Sequence, residues 1–103
     1  MAITEVTDNN FEEVVKKSNI PVIVDFYANW CKPCLRLAPT LEELADEKNG
    51  EVLVCKVNVD QSKKLAGAYQ VISIPSIISF KNGEMYKRVV GTVSKQDLLA
   101  LVE

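Results

Sequence analysis

The sequence contains no histidine. That absence excludes Ser-His-Asp hydrolysis, Cys-His proteolysis, His-based proton shuttling and nearly every catalytic zinc site, all of which use imidazole as base or ligand. Any chemistry must come from Cys, Asp, Lys or Tyr. An excess of one charge is also missing: 12 Lys and Arg stand against 14 Asp and Glu, a net charge of −2. This balance supplies no field for nucleic acid or an anionic membrane, and neither is expected as a partner. No apolar run reaches membrane-spanning length, and no N-terminal stretch joins a basic region to a long apolar one. Low-complexity tracts, repeats and linker-like stretches are absent. So is a glycine-rich dinucleotide fingerprint, and the chain is expected to hold no cofactor of its own. Cysteine is scarce. Cys31, Cys34 and Cys55 are the wrong number for a disulfide framework. The expectation is a reducing cytoplasm, where a cysteine pair is more often chemical than structural.

What remains is an ordinary globular composition, 48% apolar and 25% charged over 103 residues. That length suits one domain, 1–103, burying roughly two-thirds of its unfolded surface. Residues 2–6 read as a short strand. Asp8 or Asn9, with Glu12 three after Asn9, then caps a helix to about Lys17. PVIVDFYA, from Pro21, is a continuous apolar run, as in a strand covered on both faces. From Cys31 to about Lys48, Leu37, Ala38, Leu41, Leu44 and Ala45 recur at helical spacing, and Gly50 is the stop signal. Residues 51–59 are β-rich, and Asp60 caps a short helix through Ala68. Segments 76–81 and 84–90 flank Asn82-Gly83, a strong hairpin signal, and Ser94 with Asp97 opens a final helix to the C-terminus. The order β α β α β α β β α predicts an α/β fold. Its central mixed sheet is expected to be mostly parallel, to end in an antiparallel hairpin and to carry helices on both faces.

Trp30-Cys31-Lys32-Pro33-Cys34 stands where the buried strand ends and the long helix begins. Two cysteines three apart on a first helical turn are close enough to bridge. Pro33 is tolerated there because first-turn amides have no intrahelical partner to lose. Unpaired amides and the helix dipole favour negative charge at this end, so Cys31 should be the nucleophilic thiolate and Cys34 the resolving thiol. Lys32 adds a positive charge that stabilises the thiolate, and with it the dithiol form. The competing reading, half of a zinc site, lacks ligands: without histidine, only one other cysteine is available. Asp25 interrupts the apolar strand six residues before Cys31, where an unpaired carboxylate is costly. Burial raises a carboxyl pKa, which makes Asp25 a candidate proton carrier beneath Cys34. A structural pair with Lys56 is its alternative. Pro75 after Ile74 reads as a strand start, and Cys55, in an apolar strand, as an inert buried thiol.

FYANWCKPC, the helix-interior Pro39, Lys56, Ile74-Pro75, the FKNGE turn and Gly91 together resemble the thioredoxin family, in order and spacing over essentially the whole chain. The resemblance implies the thioredoxin fold and cytosolic dithiol–disulfide exchange: Cys31 attacks a substrate disulfide, and Cys34 resolves the mixed disulfide. It further implies that Asp25 is the buried base assisting Cys34, with Lys56 tuning it, and that Pro75 is a cis proline facing the disulfide. Trp30, Ile74, Pro75, Gly91 and Thr92 would form an apolar groove for the partner chain, and Pro39 would kink the long helix. Implied partners are disulfide-containing proteins and a thioredoxin-reductase-type electron donor, with the chain a monomer. The sequence departs from the family's commonest pattern at Lys32 (usually Gly), Leu35 (usually Lys), Tyr27 (usually Trp), Asn29 and Ser76 (usually Thr). Other functions to weigh are a thiol oxidase or isomerase, which usually needs an oxidising compartment, and a binding module that uses the groove without turnover.

Overall fold

The computed structural model describes residues 2–103. Five strands form one sheet in the order β1-β3-β2-β4-β5: β1 (Ile3–Glu5), β2 (Val22–Tyr27), β3 (Leu53–Asn58), β4 (Ser76–Lys81) and β5 (Glu84–Val90). β1, β3 and β2 run parallel, β4 runs antiparallel to β2, and β5 antiparallel to β4. The mixed sheet and its terminal hairpin are as expected, but the antiparallel part is larger than the hairpin, because β4 already enters against β2.

β2 occupies the centre and is buried at every position but its last, which explains its unbroken apolar run. Its residues alternate between two helical layers. Val22, Val24 and Phe26 pack with Val15 of a π-helical segment (Glu12–Lys16), with Phe11 at its N-cap and with Leu65 of α2 (Lys63–Ala68). Ile23 packs with Leu37, Leu41 and Leu44 of α1 (Lys32–Glu47) and Leu98 of α3 (Lys95–Ala100). Each fully buried aliphatic side chain here contributes about 1.5–3 kcal/mol relative to exposure. Asp25 has the parity of Ile23 and therefore faces α1.

Capping differs from expectation in two places. The first helix is π-helical rather than α-helical, with Lys17 N–H donating to Glu12 O. Its entry is fixed by the side chains of Thr7 and Asn10 and not by that of Asn9: Thr7 N–H donates to Asn10 Oδ1 at 2.7 Å, and Asn9 N–H to Thr7 Oγ1 at 3.2 Å. Asp8 instead accepts from Leu65 N–H at 3.0 Å, satisfying a first-turn amide of α2 across 57 residues of sequence. Asp60 does not cap α2 either; Ser62 holds the N-cap position without a side-chain bond. Ser94 and Asp97 form the expected capping box of α3. The tip residues Asn82 and Gly83 both take positive φ, 54° and 81°, as a two-residue hairpin turn requires.

Candidate functional site

β2 delivers the chain to the start of α1, and Cys31 becomes the helix N-cap. Cys34, three residues on, is joined to it in a disulfide with Cα atoms 5.3 Å apart. Cys31 Sγ accepts the Cys34 N–H at 3.2 Å, an N-terminal amide donating to the sulfur that carries negative charge once the bond is reduced. Pro33 lies in the first turn, where its missing N–H costs nothing, and the exposed Lys32 stands beside it. Both sulfurs belong to buried residues, each 4% exposed. Their surroundings distinguish them. Cys31 Sγ lies 3.8 Å from the Ile74 carbonyl oxygen, whereas Cys34 lines a cavity on the inner side.

That cavity, about 190 Å³, also reaches Asp25, Lys56, Tyr27, Leu35 and Glu42. Cys34 and Asp25 thus line one pocket between α1 and the sheet. Burial pushes the Asp25 carboxyl up from 3.8 to about 7, and the positive charge of Lys56 pulls it back only in part. Its Oδ1 has no hydrogen-bond partner among the described residues. Among the described residues, no ion pair within 4.0 Å joins Asp25 to Lys56, which acts on it from farther off. Lys56 faces Asp25 in the β2–β3 register, but its ammonium pairs with Glu5 Oε1 at 3.7 Å.

Of the other expected residues, Ile74 is the one packed directly on the cysteine pair. The Ile74–Pro75 peptide is cis, with Ile74 packed against the cysteine cluster. Gly91 N–H donates to Pro75 O at 2.8 Å, and the φ of Gly91, 98°, is one that glycine adopts without strain. Thr92 follows, exposed. Trp30 is 69% exposed, and its indole N–H donates to Asp60 Oδ2 at 2.9 Å. Asp60, expected from the sequence only as a helix cap, is thus the partner of the Trp30 indole. An acidic residue just after a strand was the available signal, but its partner lies 30 residues away. Glu5 was missed too, since nothing marks one carboxylate on a short edge strand. Cys55 lies on the opposite face of β3, fully buried, with its thiol pushed up to about 12 by desolvation. It takes no part in this site.

The thioredoxin family model matches residues 2–103. Among characterised relatives, a chloroplastic M-type thioredoxin of Spinacia oleracea is 41% identical over 98% of this chain and 56% of its own length. A bifunctional thioredoxin reductase/thioredoxin of Mycobacterium leprae is 47% identical over 92% of this chain and 21% of its own length. A thioredoxin of Mycobacterium tuberculosis is 47% identical over 95% of this chain and 84% of its own length. The chain therefore spans about half of the spinach protein and about a fifth of the fused one. On its cysteine pair, its sheet and its likeness from residue 2 to residue 103, the chain belongs to the thioredoxin family.

Proposed function

We propose that the chain, as one domain over 1–103, is a protein disulfide reductase working by dithiol–disulfide exchange. The observation that carries this reading is the shared cavity: the Cys31–Cys34 pair caps α1 on one side, and Cys34 meets the buried Asp25 on the other. In the reduced protein the Cys31 thiolate attacks one sulfur of a substrate disulfide, whose bond breaks as the other sulfur departs and takes up a proton. Cys34 then passes its proton to the Asp25 carboxylate, and its thiolate attacks Cys31 Sγ. The mixed disulfide breaks, the second substrate sulfur leaves and is protonated, and the intramolecular disulfide forms. Two electrons and two protons reach the substrate. A carboxyl near 7 is suited to take and return that proton at neutral pH. Lys56 tunes Asp25, while Lys32 and Pro33 tune the pair.

Trp30, Ile74, Pro75, Gly91 and Thr92 form the groove that seats a disulfide-bearing protein. Trp30 is held there by Asp60. The electron donor is a thioredoxin-reductase-type enzyme, a reading supported by the fused name of the M. leprae relative. We place the chain, as a monomer, in a reducing cytoplasm, with neither nucleic acid nor membrane as partner. Among the described residues, no helix is long and apolar enough to cross a membrane.

Reduction of a disulfide-bonded protein by a small dithiol tests the reading. Cys31→Ser should fall to the uncatalysed rate, and Cys34→Ser should accumulate a mixed disulfide through Cys31, visible by mass. Catalysis surviving in the double variant rejects the mechanism. A reduction potential at or below the cytosolic glutathione poise, roughly −220 to −260 mV by extraction, supports a reductase. A value near −180 mV or higher points to an isomerase or oxidase.

A further inference from the structure

Three ionisable side chains lie in one row across the sheet. In the parallel ladders Glu5 of β1 is level with Lys56 of β3, and Lys56 is level with Asp25 of β2. Level residues in adjacent strands project from the same face, so Lys56 stands between two carboxylates and can serve either. It serves Glu5, at 3.7 Å. The Glu5 carboxylate is itself held from the other side, since the Tyr27 hydroxyl donates to Oε2 at 3.3 Å and reaches Oε1 at 3.5 Å. The Tyr27 ring adds a second attraction, with Lys56 Nζ 5.5 Å from its centroid. Asp25 Oδ1 is left without a hydrogen-bond partner among the described residues.

We propose that Glu5 is a positioning residue for disulfide exchange: with Tyr27 it holds the Lys56 ammonium away from Asp25, and so leaves Asp25 free to carry the Cys34 proton. This rests on the reading of Asp25 as proton carrier given above. An ammonium in direct contact with Asp25 would favour the carboxylate and oppose its protonation. One parked on Glu5 acts from farther off, and burial then prevails over the pull of Lys56. The other ionisable groups facing Asp25 are Cys34 and Glu42 of α1, and Tyr27 of its own strand. From β4 the level residue is the apolar Ile77.

The test follows the Asp25 carboxyl by NMR in the oxidised protein, where Cys31 and Cys34 do not titrate, and the pH profile of disulfide reduction alongside it. Glu5→Gln keeps the shape of a half-exposed edge-strand side chain and removes its charge. The Asp25 midpoint should drop by about half a unit or more, as Lys56 turns to the other carboxylate of its row. The pH profile should shift acidward with it. In a Lys56→Met background the same Glu5→Gln change should move the midpoint far less. An equal shift in both backgrounds means that Glu5 acts directly by like charge, and it overturns the proposal. So does an Asp25 midpoint that Glu5→Gln leaves in place while Asp25→Asn alters the profile; that result rejects Glu5 alone. A profile indifferent to Asp25→Asn removes Asp25 from the proton path and takes the positioning role with it.

Discussion

Lys32 opens α1 between the two sulfurs, with its side chain exposed. A positive charge there favours the Cys31 thiolate and therefore the dithiol form. Lys32→Gly should make the reduction potential more negative. A full pKa unit corresponds to about 30 mV for a two-electron couple, and an exposed side chain delivers only part of that, so the shift should stay below about 30 mV. Lys32→Met, which keeps the side chain's bulk, should show most of the same shift. Equilibration in defined dithiol/disulfide buffers, followed by the fluorescence of Trp30, the sole tryptophan, measures it. An unchanged or less negative potential removes the electrostatic account. At this scale the cysteine pair was legible because three-residue spacing is local. Asp60 and Glu5 were not, since each finds its partner on another strand or loop, and one carboxylate looks like any other until the chain folds.

Among the elements, the hairpin tip is the most sharply constrained. Gly83 has φ of 81°, and a Cβ built on it would stand 2.6 Å from the Lys16 carbonyl oxygen, at the end of the π-helical segment. Gly50 also has positive φ, 89°, but a Cβ there meets nothing within 4 Å. Gly50→Ala should cost only the left-handed backbone penalty, about 1–2 kcal/mol. Gly83→Ala should cost clearly more, because a backbone carbonyl must give way. Urea denaturation of the two variants makes the comparison, and equal losses would show that the hairpin tip yields freely. Element identity was legible wherever it rests on neighbours in sequence: the Asn82-Gly83 turn, the apolar spacing of α1, the capping box of α3. It failed where a side chain acts at long range. Asp8 serves α2 instead of its own helix, and the orientation of β4 depends on the path taken from α2 back to β2.

For the whole molecule, the buried Asp25 makes stability depend on pH in a direction opposite to that of a salt-bridged carboxylate. Its folded pKa, about 7, lies about three units above the ordinary value of 3.8. Between those values the folded state binds more protons than the unfolded chain, so stability falls as pH rises through the window. Below about pH 4 both states are protonated and the penalty vanishes; above about pH 7 it is fully present. Three units correspond to about 4 kcal/mol, a large share of the stability of a domain of this size. Asp25→Asn resembles the protonated form at every pH. In the oxidised state, where neither Cys31 nor Cys34 titrates, the variant should match the parent protein near pH 4 and exceed it by up to about 4 kcal/mol near pH 8. Urea unfolding at the two pH values tests this, and a difference that is the same at both would mean that Asp25 does not titrate in the window. The cost falls on the carboxylate that shares a cavity with Cys34, so this stability is given up at the position where the exchange reaction needs a proton carrier.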